Sequence, residues 1–80
     1  MDNNEILTLL QAFQLVGARV VLFLPSFHVE GFITQIGTDF VTLRKGVEVE
    51  SNANGGALEN PNQISVMISS ILAVSDDRGA

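Results

Sequence analysis

Thr38-Asp39-Phe40 puts a hydroxyl, a carboxylate and an aromatic face on three consecutive residues. Single-stranded RNA is read with this inventory: the base stacks on a ring and its edge meets polar groups. The same residues also read as a tight turn running into a core phenylalanine. Ser69-Ser70 offers two adjacent hydroxyls, for a base or phosphate, or for backbone groups where two strands change direction. Arg44-Lys45 holds two of the four cations of the chain. Repeated around an assembly, that pair would form a belt for phosphates. In one copy, beside Glu48 and Glu50, it is a solvated strand end.

Other chemistry is thinly provided. His28 is the only histidine and there is no cysteine. A lone imidazole is a poor metal site, and as a general base it would need a nucleophile or an orienting acid nearby. Glu30, two residues on, suits an ion pair with His28. There is no Walker loop, and Gly55-Gly56 does not lead from a strand into a helix as a dinucleotide fingerprint requires. Tyr and Trp, common stacking residues, are absent. No catalytic residue, no cofactor and no metal are expected, and the chain reads as a binding protein, not an enzyme.

The totals narrow the class further. Eighty residues allow one domain. A chain this short is marginal alone unless something staples it, and cysteine is unavailable for the purpose. Hydrophobic residues make up 46%, with a mean hydropathy of +0.34. Surplus apolar surface on a small chain points to a subunit interface, so an oligomer is expected. The net charge of −5 opposes tight, backbone-driven nucleic-acid binding. A ring with a few contacts per subunit is still compatible with it. No apolar run is long enough to span a bilayer. The start, MDNNE, is acidic where a signal peptide is basic. No membrane partner and a cytoplasmic location are the resulting expectations.

The positioning elements follow from periodicity. Ile6, Leu9, Leu10, Phe13 and Val16 form one helical stripe, widened by Leu7 and Leu15. Asp2 with Glu5 fits a capping box, and Gly17 fits the left-handed residue past the helix end. Strands are expected at Arg19–Leu24, stopped by Pro25, and at His28–Ile36, bent at Gly31. A third runs over Phe40–Lys45, with Val47 and Val49 as an extension. Residues 52–62 read as a polar loop. Ile64, Val66 and Ile68 alternate in a fourth strand, and Ile71–Val74 form a fifth. That last strand has no sequential partner, and an apolar edge must be paired or covered. Pairing it with a neighbouring copy would close a ring.

This order resembles the Sm-like family, which includes the bacterial RNA chaperone Hfq. The resemblance covers about residues 4–75. It is carried by Val20-Val21-Leu22-Phe23-Leu24, Gly31-Phe32-Ile33, Ile36 through Leu43, and Ile64 through Val74. It implies a mainly β fold, an N-terminal helix (about 3–16) on a strongly bent five-stranded antiparallel SH3-like barrel (about 18–75); residues 76–80 beyond it read from the sequence as a disordered tail. It also implies a homo-oligomeric ring of five to seven copies. Its fourth strand (Ile64, Val66, Ile68) would meet the neighbour's fifth (Ile71, Leu72, Val74). Gly31 matches the family's glycine at the bend of the second strand. Thr38, Asp39 and Phe40 would line an RNA pocket, with Ser69 and Ser70 toward the pore and Arg44 and Lys45 as further contacts. The departures are specific. The turn before the third strand is one residue longer, and Ile68-Ser69 stands where Hfq has a Lys-His pair that touches RNA. The rival reading is a ring that serves as a protein scaffold without nucleic acid.

Overall fold

The computed structural model describes residues 3–76. Helix α1 (Asn3–Val16) is followed by strands β1 (Arg19–Phe23), β2 (Phe27–Ile36), β3 (Phe40–Ser51), β4 (Ala57–Glu59), β5 (Gln63–Met67) and β6 (Ala73–Asp76). A 3-10 turn, Ile68–Ser70, joins β5 to β6. The fold is mainly β, a helix on a bent antiparallel sheet, as expected. The proposed Asp2 cap lies outside the described residues. So do all of the proposed tail except Asp76, which closes β6, and the fourth cation, Arg78.

α1 ends as its sequence predicts. Gly17 adopts φ +68°, and the Ala18 N–H reaches back to the Phe13 carbonyl at 3.2 Å, the closure a left-handed glycine permits. The stripe is buried only along its first half. Ile6 and Leu10 are buried and Phe13 is half-buried, whereas Leu15 is 87% and Val16 73% exposed. α1 packs on β2, β6 and the 3-10 turn, and its last turn carries these two side chains out into solvent.

The sheet runs β4-β3-β2-β1-β6, and β5 also pairs with β3. The first half of β3 pairs with β5 and the second with β4. Two features bend it. Glu30 faces Glu48 and Phe32 faces Arg44, so Gly31 stands opposite three residues, Lys45, Gly46 and Val47. Lys45 and Gly46 take φ +64° and +66°. A side chain on Gly31 would meet Leu43 Cβ at 3.2 Å and both the Arg44 carbonyl and Val47 Cγ2 at 3.3 Å. The Arg19 guanidinium holds the bulge by donating to the Lys45 and Gly46 carbonyls at 3.2 and 2.9 Å.

The bent sheet wraps a core of Val20, Leu22, Val29, Val41, Leu43 and their neighbours. Burying each such side chain is worth roughly 1.5–3 kcal/mol. Thr42 is the one buried polar side chain among the described residues, and its hydroxyl bonds Ser65 Oγ at 2.7 Å.

β3 runs to Ser51, so its expected extension forms. Two element assignments differ from expectation. Within the expected polar loop, Ala57–Glu59 adds a short sixth strand. The last strand starts at Ala73, not Ile71, because the Ile71 N–H closes the 3-10 turn on the Ile68 carbonyl at 3.1 Å. β6 pairs with β1. Among the described residues β5 and β6 each have one partner strand, which leaves one edge of each open.

Candidate nucleic-acid interface

The β2–β3 turn is closed by a bond from the Gly37 N–H to the Phe40 carbonyl at 2.8 Å. The Phe40 ring folds back over Gly37, where an added Cβ would lie 2.4 Å from Phe40 Cε1. Only glycine leaves room for the ring there. Thr38 and Asp39 are exposed and Phe40 is half-buried. Across the sheet Phe40 faces Met67, the last residue of β5. The next residue, Ile68, donates its N–H to the Asp39 carbonyl at 2.8 Å. That bond ties the turn to the 3-10 turn carrying exposed Ser69 and Ser70. Five of the candidate residues therefore gather at one end of the β3–β5 pair. They present one ring, three hydroxyls and one carboxylate. An ionised carboxylate only accepts hydrogen bonds, so Asp39 suits the donor edge of a base.

Arg44 and Lys45 stand apart. They lie four and five residues along β3 from Phe40, roughly 13 Å or more by strand rise. Both are exposed at the bulge, beside an open groove of about 710 Å³ lined also by Thr34, Glu48, Asn60 and Asn62.

The proposed interface residues divide by burial. Val66, Ile68 and Ile71 point into the chain's own core, and Ile64 and Val74 are half-buried. Leu72 is 66% exposed. Met67, at the end of β5 and 53% exposed, was not singled out from sequence. The signal was there, since Met67 falls on the face opposite Val66 in the strand alternation.

A second polar cluster sits on the outer face of β2 and β3. His28 faces Glu50 in register. Its Nδ1 lies 2.8 Å from Asn52 Oδ1, and its Nε2 lies 3.0 Å from Glu50 Oε1 and 3.8 Å from Glu30 Oε2. Arg19 approaches Glu30 at 3.6 Å. The Asn52 bond is the main influence raising the His28 pKa above its ordinary 6.5. Burial opposes it, and the bond and charge of Glu50 and the charge of Glu30 add to it. A raised folded-state pKa stabilises the fold fully below the unfolded value and is lost as pH rises through the folded value. With chelator present, the stability advantage of the native protein over His28→Gln should be greatest between about pH 5 and 6.5 and should shrink above that range. Thermal melts of both proteins across pH check this, and an advantage that grows toward alkaline pH would contradict it.

No protein-family model and no curated protein sequence matches the chain. Solved structures do. An Sm protein of Pyrococcus abyssii, in complex with a uridine heptamer, superposes with a TM-score of 0.72 at 18% identity, covering 89% of this chain and 96% of its own. The chain has the Sm fold. The SmAP (LSm) protein of Methanococcus vannielii gives 0.64 at 21% identity over 94% and 99% of the two chains. A heptameric archaeal Sm protein gives 0.63 at 18% over 88% and 97%. On this Sm fold the two loops tied by the Asp39–Ile68 bond carry no basic residue, and Ile68 is core.

Proposed function

We propose that the chain is one subunit of a cytoplasmic, homo-oligomeric Sm-type ring of five to seven copies that binds single-stranded RNA weakly on one face. It is a binding module and not an enzyme. The observation carrying this reading is the hydrogen bond from the Ile68 N–H to the Asp39 carbonyl, which brings Thr38, Asp39, Phe40, Ser69 and Ser70 to one place. The open edges of β5 and β6 support the ring, because a heterologous pairing that repeats and closes uses both. The uridine heptamer on the Pyrococcus abyssii protein supports RNA as the ligand.

In this reading Phe40 stacks a base, Thr38 and Asp39 meet its edge, and the serines face the pore. Gly31 is structural. Arg44 and Lys45 take the phosphate backbone farther out. The net charge of −5 keeps each contact weak, and repetition around the ring multiplies them.

Titration of a fluorescent oligouridine at low and moderate salt tests this. Binding should weaken as salt rises. Phe40→Ala should lose about 1–3 kcal/mol per stacked base, about 5- to 150-fold in affinity, with the native mass unchanged. Equal binding by Phe40→Ala would remove the pocket assignment. A ring that stays bare even at low salt would favour the protein-scaffold reading, with which the acidic charge also agrees.

A further inference from the structure

We propose that His28, Glu30 and Glu50 form a binding site for a divalent transition metal, zinc above all. The three side chains project from the same face of β2 and β3, since His28 faces Glu50 in register and Glu30 follows His28 by two residues. One ligand atom from each lies within 4.8 Å of the others. Tetrahedral zinc, with bonds of about 2.0–2.2 Å, sets neighbouring ligand atoms roughly 3.3–3.5 Å apart. The distances from His28 Nε2 to the two carboxylates, 3.0 and 3.8 Å, bracket that spacing. Small rotations of the glutamates would complete the geometry. The side chains of His28, Glu30 and Glu50 are 17%, 15% and 25% exposed, so an ion can enter and keep one water.

The orientation of the imidazole is set from behind. Asn52 Nδ2 donates to the Leu24 carbonyl at 2.8 Å. Its amide oxygen is thereby turned toward His28 Nδ1 at 2.8 Å. An acceptor at that position requires the hydrogen on Nδ1. The His28 Nε2 then points between two carboxylates, a place for either a proton donated to Glu50 or a metal ion bound by the neutral imidazole. A metal-ligating histidine is usually held by such a bond from its other nitrogen. Glu48 faces Glu30 across the strands, and like charges directly opposite oppose pairing. Arg19 offsets one carboxylate. One imidazole and two carboxylates suit zinc or cobalt, whereas magnesium prefers an octahedral shell of oxygens.

The composition makes the test clean. His28 is the only histidine and cysteine is absent, so a tight zinc site on untagged protein must use His28. Zinc titrated calorimetrically at pH near 7.5 should bind one ion per chain and raise the thermal midpoint. Magnesium at the same concentration should do neither. Cobalt should develop the visible absorption of a tetrahedral site. His28→Gln should abolish all three responses, and Asn52→Ala should weaken zinc about 10–100-fold. Circular dichroism establishes that each variant folds. If His28→Gln does not fold, loss of the same responses in Glu50→Gln carries the proposal. Absence of zinc binding by the native protein would overturn it, as would unchanged binding by whichever of these folded variants is used.

Discussion

Leu72→Asp combined with Met67→Asp is expected to turn the proposed ring into monomers that keep their fold. Leu72, just before β6, and Met67, at the end of β5, are large apolar side chains, 66% and 53% exposed. Both therefore flank the strands whose outer edges lack a partner among the described residues. Covering each by a neighbouring copy would contribute roughly 1.5–3 kcal/mol. A carboxylate in its place must be desolvated without a hydrogen bond, which costs more than the lost burial. Every 1.4 kcal/mol is tenfold in an association constant, and a closed ring repeats the loss at each contact. Neither side chain is needed by the chain's own core, so circular dichroism should be unchanged. Light scattering reads the mass. An assembly that survives the double substitution would place the subunit contact elsewhere.

Ile71→Asp, one residue upstream of Leu72, is expected to unfold the chain itself. Ile71 is 7% exposed and packs in the core with Ile68 and Val66. Truncating a buried aliphatic side chain alone costs about 2–5 kcal/mol, and an unpaired buried carboxylate adds to it. Small domains have about 5–15 kcal/mol in all. For a chain of this size each kcal/mol moves the melting midpoint by about 4–8 °C. The midpoint should fall by about 20 °C or more, or the transition should disappear at room temperature. A native-like melt would mean that Ile71 is not the core residue its burial implies. The adjacent pair separates two properties that substitution of either residue alone would confuse, assembly at Leu72 and folding at Ile71.

Much of the fold was legible in the sequence because it is written in periods and glycines. The alternation of Val20 and Leu22, and of Val41 and Leu43, marks inward faces, and Gly17, Gly31 and Gly37 stand where a helix end, a bend and a ring contact need them. β4 was not legible because Ala57, Leu58 and Glu59 are all exposed and carry no alternation. β6 was misplaced because Ile71-Leu72 has strand composition, yet Ile71 closes a 3-10 turn and polar Ser75 and Asp76 take the ladder positions opposite Val21 and Val20. The open turn of α1 was missed because a helical stripe predicts a face and not how far the sheet extends beneath it. The loop cluster was legible residue by residue, but its assembly depends on one backbone bond between Asp39 and Ile68, which no side-chain pattern announces. Glu50 and Asn52 could not be joined to His28 for a similar reason. They lie 22 and 24 residues away, and only the register of β2 on β3 brings them to the ring.

The most direct test of the central claim is the native mass of the untagged protein at micromolar concentration. A single species at five to seven times the chain mass of 8.6 kDa is the predicted result. A species of 8.6 kDa that persists as concentration rises would contradict the ring, and with it the pore and the shared RNA face.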